Sequence, residues 1–516
     1  MFKGHPKGLI AAALANMGER FGFYTMMAIL ALFLQAKFGL TGTNAGYIYS
    51  TFYFSIYILA FVGGIIADKT RNYKGTILTG IVVMAIGYLL IAIPTPTPTP
   101  NKTLFIILTC IGLFVIAFGN GLFKGNLQAL IGQMYDKPEY SKLRDSGFSL
   151  FYMFINVGAI FAPFTAVGVR NWWLSSHGLK YSSDLPALCH AQISGTITPE
   201  ASESFLKLAN GVSGNSVTDL TAFANNYLNV FTTGFHYAFG VAIIAMAISI
   251  TIFIFNKKHL PDAKKVVTTK TKSDADAIKM DIKEVKQRLY ALFAVFGVVI
   301  FFWFSFHQNG LTLTFFAKEY TDLSQIKVSI GSFSIQGAEI FQSINPFFVV
   351  FLTPVILALF GWLRAKGKEP STPKKIAIGM FIAALGYVLM SVGSYFYNLP
   401  LQSTINPEVG GTPLAENLKV TPFLLIGTYF ILTVAELFIS PLGISFVSRV
   451  APPQYQGIMQ GGWLGATAIG NQLLFIGAIL YESVPIWMTW SVFVVACTIS
   501  MVTMMVMLKW LERVAK

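Results

Sequence analysis

Glu19 and Arg20 stand side by side in a stretch, residues 8–35, that is otherwise apolar: Ala15-Asn16-Met17-Gly18-Glu19-Arg20-Phe21-Gly22-Phe23-Tyr24. That stretch exceeds the roughly 20 residues a helix needs to cross a bilayer. A charge carried to that depth costs at least ~2.5 kcal/mol on insertion scales, so it persists only in a bundle interior or a water-filled cavity. Two kinds of chemistry suit the pair: an ion pair that pins helices together, or a site for substrate or protons, which intramembrane ionisable residues mark by default. Lys124 is a further cation inside an apolar run, and Glu436 a carboxylate inside another. No nucleophile–base pair, metal-ligand set or phosphate loop accompanies them, so neither an enzyme nor a metal or cofactor is expected.

The elements that must carry these charges are membrane helices. Apolar residues make up 54% of the chain and charged residues 12%, with mean hydropathy +0.62, far from a soluble domain. Apolar runs at about 8–36, 44–67, 75–94, 103–131, 146–171, 233–256, 289–316, 337–363, 375–398, 420–448, 455–481 and 484–510 predict an all-α membrane protein of about twelve helices, here numbered in that order. Long apolar runs, not alternating ten-residue strands, exclude a β-barrel. The formal charge of +14 is a topology signal and not a nucleic-acid footprint. With the N-terminus inside, 27 Lys/Arg fall on the inner side and 8 on the outer, Lys37 and Arg170 among the latter. This places both termini in the cytoplasm of a multi-pass plasma-membrane protein, an inner-membrane protein in a bacterium. The first run reads as a retained helix and not a cleaved signal. Cys110 and Cys497 lie in spans and Cys189 in an outer loop, which leaves no intrachain disulfide framework.

Two six-helix halves follow, 1–256 and 289–516, joined by a polar Lys-rich linker, 257–288, with a short amphipathic helix expected at 275–289. The Pro-Thr repeat at 94–100 reads as an extended outer turn. The outer loop at 172–232 is long, polar and rich in Ser and Asn, and fits either a small cap or a mobile segment.

Gly63-Gly64-Ile65-Ile66-Ala67-Asp68-Lys69 ends helix 2. Small residues such as Gly64 let helices approach, and Asp68 suits a cytoplasmic gate, paired with a basic residue or capping a helix. Helix 5 carries Phe148-Ser149-Leu150-Phe151-Tyr152-Met153-Phe154-Ile155-Asn156-Val157-Gly158-Ala159, and helix 10 carries Glu436-Leu437-Phe438-Ile439-Ser440-Pro441-Leu442-Gly443. Together with Glu19-Arg20-Phe21, Gly121-Leu122-Phe123-Lys124-Gly125-Asn126, Phe302-Trp303, Gln342-Ser343-Ile344-Asn345-Pro346, and Trp463 followed by Ala468-Ile469-Gly470-Asn471, these motifs resemble the proton-dependent oligopeptide transporter family. They run in order from helix 1 to helix 11.

The resemblance implies the major facilitator fold and a monomeric symporter that imports di- and tripeptides with protons. It assigns the peptide amino group to Glu436 with Asn345, and the carboxylate to Arg20 and Lys124. Tyr24, Tyr57, Asn156, Trp303, Ser440 and Trp463 match pocket positions. The bottom-up chemistry agrees: a zwitterion needs a carboxylate and a cation on opposing walls, and a cavity between repeats is where transporters bind. Taken alone, Trp303 and Trp463 would read as ordinary packing.

The chain departs from the family at one cluster. Asn16 replaces a Glu, Phe23 a Tyr and Met27 an Arg on helix 1, while His307 replaces an acid on helix 7. In the family the helix 1 Arg and helix 7 acid form an outer gate, and that acid takes part in proton coupling with the helix 1 Glu. Losing both members of a buried pair can be near neutral where losing one costs about 3–5 kcal/mol. Met27 and His307 therefore read as one coordinated replacement, closing by apolar contact and an imidazole hydrogen bond, with Glu19 and His307 left to carry protons. Nitrate or another small anion is the alternative substrate, peptide transport with weak proton coupling a second. Retention of Glu436 counts against an anion, which a fixed carboxylate repels.

Overall fold

The computed structural model describes residues 4–135, 137–140, 143–261, 282–331, 333–452 and 455–515. Among these, twelve helices are long and apolar enough to span a membrane: Lys7–Phe38, Gly42–Thr70, Tyr73–Ala92, Lys102–Met134, Gly147–Ser176, Leu220–His259, Ile282–Tyr320, Ala338–Ala365, Thr372–Phe396, Phe423–Val447, Ile458–Ser483 and Ile486–Val514. Their ends follow local chemistry. Thr41, Asn72, Asn101 and Asp219 cap helices 2, 3, 4 and 6 by accepting from backbone amides in the first turn. Gly39, at φ 55°, closes helix 1 in the left-handed conformation that glycine adopts most freely.

The two halves repeat one packing pattern. Helix 1 lies against helices 5 and 6, helix 3 against 4 and 6, and helix 2 against 4; in the second half helix 7 lies against 11 and 12, helix 9 against 10 and 12, and helix 8 against 10. Between the halves helix 2 meets helix 11 and helix 5 meets helix 8, which are equivalent pairs under the same six-helix shift. This is the twofold arrangement of the major facilitator fold. The linker residues 262–281, with residues 275–281 of the expected amphipathic helix, lie outside the described residues, and the rest of that helix, from Ile282, is the start of helix 7.

Three expectations need correction. Helix 6 begins at Leu220 and not near 233, because Asn225, Asn226 and Asn229 lower the hydropathy of a turn that nevertheless buries Ala224, Tyr227, Leu228 and Phe231 at helical spacing. They pack in the core that also holds two short helices, Leu185–Ser194 and Pro199–Ser213, so the 172–232 segment is a folded cap. Helix 7 is not continuous: it breaks into a 3-10 turn at His307–Gly310. Tyr387 donates to Ser305 O, and Tyr429 to Asn309 O at 2.7 Å, so carbonyls freed at the break are satisfied. Finally, Lys37 and Arg170 are not loop cations. Both are buried on helices, Lys37 donating to Thr97 Oγ1 (2.7 Å) and to two carbonyls of the non-helical Pro-Thr turn.

At the end remote from the termini the halves are tied together. Arg170 on helix 5 pairs with Glu339 in the 3-10 turn that opens helix 8, both wholly buried, and three aromatic rings surround the guanidinium. Asn171 donates to the Ser334 and Gln336 carbonyls (2.7 and 2.9 Å), beside the small hairpin Val328–Ile330/Phe333–Ile335. Glu482 on helix 11 accepts from Gly42 N and Thr43 Oγ1, each at 2.5 Å, capping the positive N-terminus of helix 2 from the other half.

Candidate functional site

A cavity of about 280 Å³ lies between the halves. Helix 1 presents Arg20, Phe23, Tyr24 and Met27; helix 2 presents Tyr49, Tyr53 and Tyr57, one face at four-residue spacing; helices 4 and 5 add Lys124, Gln128, Tyr152 and Asn156. From the other half come Trp303, Phe306, His307 and Asn309 at the helix 7 break, Gln342 and Asn345 at the start of helix 8, and Glu436 and Ser440 on helix 10. Nine of the ten binding residues expected from sequence thus share one wall or the other.

Trp463 does not. It is buried between helices 10 and 11, where its ring occupies the space a side chain at Gly443 would need. Its packing role follows from that glycine. Glu19 is also off the wall: Arg20 Nε and a terminal nitrogen of the same guanidinium reach its two oxygens at 2.5 Å, and Asn120 Nδ2 adds 2.8 Å. A fork-to-fork pair of this kind largely neutralises Arg20. Lys124, by contrast, sits over the Tyr57 ring at 4.6 Å and pairs with no carboxylate among the described residues. On the opposite wall Asn345 Nδ2 donates to Glu436 at 2.8 Å and to Thr433 Oγ1 at 3.0 Å, fixing the carboxylate. Asn156 is turned back to Tyr152 O, and the buried Trp303 Nε1 finds no acceptor among the described residues.

Met27 and His307 both line the cavity, but the imidazole's bond is to another residue. His307 Nδ1 lies 2.5 Å from Asn471 Oδ1 on helix 11, and the ring stacks on Trp303 at 4.8 Å and 22°, with Tyr53 at 4.8 Å. At the gate motif the close approach belongs to Gly63 and not Gly64: a Cβ on Gly63 would fall 2.1 Å from Gly121 O, while one on Gly64 would meet nothing within 4 Å. Asp68 is exposed and accepts from the Tyr73 hydroxyl; the cap of helix 3 is Asn72. The sequence reading missed Tyr49, Tyr53, Asn120 and the Arg170–Glu339 pair. The tyrosine spacing on helix 2 signals the first two, whereas nothing local announces a pair 169 residues apart.

Among known proteins, the sequence model of the POT family matches residues 74–273 and 259–487. Peptide transporter YePEPT of Yersinia enterocolitica is 29% identical over 489 residues, 91% of this chain and 87% of the relative. Dipeptide and tripeptide permease B of Salmonella typhimurium is 27% identical, over 89% of this chain and 83% of its own. Crystal structures of a mutant of peptide transporter POT, one of them in complex with alafosfalin, share the fold at TM-scores of 0.71 and 0.70 and 22% identity, covering the whole of this chain and 97% and 96% of theirs. By motif, architecture and sequence, the chain belongs to the POT family, the proton-dependent oligopeptide transporters.

Proposed function

We propose that the chain imports di- and tripeptides across a bacterial inner membrane by alternating access. The reading rests above all on one observation: Lys124 and Glu436, charges of opposite sign, face one cavity from different halves. A zwitterion bridging them would place its ammonium on Glu436, which Asn345 orients, and its carboxylate on Lys124. Arg20, already held by Glu19, shapes the anionic end more than it supplies net charge. The free indole N–H of Trp303 suits a peptide carbonyl. The names of YePEPT and of permease B support the same substrate class.

In this reading the halves 1–256 and 289–516 rock about the site, both termini lie in the cytoplasm, and the Arg170–Glu339 clasp takes over the outer closure that the family gives to the helix 1 Arg and helix 7 acid. Protons couple through Glu19 behind Arg20, or through His307 on the wall. The protein acts as a monomeric transporter and performs no catalysis. Uptake of a labelled dipeptide into proteoliposomes, with and without an inward proton gradient, tests this. Glu436→Gln is expected to weaken dipeptide affinity by roughly tenfold to a hundredfold, the worth of a buried charged hydrogen bond. Wild-type affinity in that variant removes Glu436 from the amino-terminal role.

A further inference from the structure

Once a peptide backbone has claimed Glu436 and Lys124, the charges left over decide which side chains can follow. Glu436 is the one carboxylate lining the cavity among the described residues, against three nitrogen bases, Arg20, Lys124 and His307. Glu19 offers no second acid, since it is off the wall and both its oxygens are engaged by Arg20, one of them also by Asn120. We propose that this cavity selects against peptides with a basic side chain, and that His307, on the cavity wall against Trp303 and Tyr53, is the residue that sets the exclusion. The proposal rests on the peptide-transport reading and deepens it to a substrate class: neutral and acidic dipeptides, not lysyl or arginyl ones.

The geometry leaves a substrate cation without a charged partner. His307 turns Nδ1 to Asn471, so its remaining nitrogen offers a lone pair when the ring is neutral and repels when it is charged. Aromatic faces can also hold cations. Here Trp303 and Tyr53 each give a face to the imidazole, and Tyr57 gives one to Lys124. An ammonium buried among these groups would meet the Arg20 and His307 nitrogens with no carboxylate left to compensate it, since Glu436 is already occupied by the peptide's own amine. A carboxamide or carboxylate side chain meets no such repulsion.

The test is competition against labelled Ala-Ala uptake in proteoliposomes by unlabelled Ala-Gln, Ala-Glu, Ala-Lys and Lys-Ala. Ala-Lys and Lys-Ala are expected to need roughly tenfold or more higher concentration than Ala-Gln, with Ala-Glu close to Ala-Gln. His307→Asp, and His307→Glu as a second variant, are expected to narrow that ratio by supplying the missing carboxylate. Equal competition by Ala-Lys and Ala-Gln in the wild type overturns the exclusion while leaving peptide transport intact. A ratio unmoved in both folded His307 variants overturns the role of His307. If Ala-Ala itself is not taken up, the transport reading fails, and this inference fails with it.

Discussion

At the scale of single residues, the buried charges divide into those held by the protein and those held open. Arg20 is held: Arg20→Ala leaves Glu19 buried and uncompensated beside Asn120, at a cost of about 3–5 kcal/mol. Lys124 is open, so Lys124→Ala is expected to abolish dipeptide uptake with a much smaller fall in the thermal midpoint of the purified protein. Similar midpoints in the two variants would contradict this division. Glu408, in the segment before helix 10, is a different case. Burial, helped by the neighbouring Glu319 and Glu482 and opposed by Lys318 and Lys102, pushes its carboxyl up to about 7. A raised value means the folded state binds the proton more tightly than the unfolded chain, so the contribution is complete below the ordinary carboxyl range, near ~4.3, and is lost as pH rises through about 7. Glu408→Gln is expected to flatten the decline in thermal midpoint between these limits, and an unchanged slope would exclude Glu408 as its source.

At the scale of elements, helices 2 and 4 approach through Gly63 and Gly121, whose backbones leave no room for a side chain. Gly63→Val should lower the thermal midpoint by an overpacking penalty of about 1–3 kcal/mol, while Gly64→Ala, in open space, should not. Equal effects would show that the motif and not the contact matters. The pair also illustrates what the sequence made legible. Apolar length alone located the twelve spans, since a bilayer leaves backbone few options, and charged residues inside those spans had to sit in the bundle interior or line a cavity, as Glu19 does the first and Lys124 and Glu436 the second. Which of two adjacent glycines meets a neighbour depends on helix rotation, which one sequence does not encode. The break in helix 7 was hidden for a similar reason: the tyrosines that satisfy its carbonyls come from helices 9 and 10. Trp463 was misplaced because a buried indole looks the same whether it faces a cavity or Gly443.

At the scale of the whole molecule, the repeated packing makes helices 2 and 11 and helices 5 and 8 the seams along which the halves must part. The Arg170–Glu339 pair spans the second seam, and its environment makes it decisive. One oxygen of Glu339 already lacks a partner among the described residues, so Arg170 is the group that compensates the buried carboxylate. Arg170→Ala therefore removes about 3–5 kcal/mol from the closed end remote from the termini, enough to move a two-state equilibrium by more than about a hundredfold toward opening. Spin labels at the exposed positions Lys207, on the cap, and Ser329, on the hairpin, would report this as a longer separation. Replacing both partners, Arg170→Met with Glu339→Leu, leaves no stranded charge and is expected to restore the short separation, because two apolar groups close the seam nearly as well as the ion pair did. Uptake in the double variant should then be slowed at opening and not at binding, with the Ala-Ala affinity kept. An Arg170→Ala protein whose label separation matches the wild type would show that this end is held by the Glu482 cap and the apolar seam alone, and that the clasp is no gate.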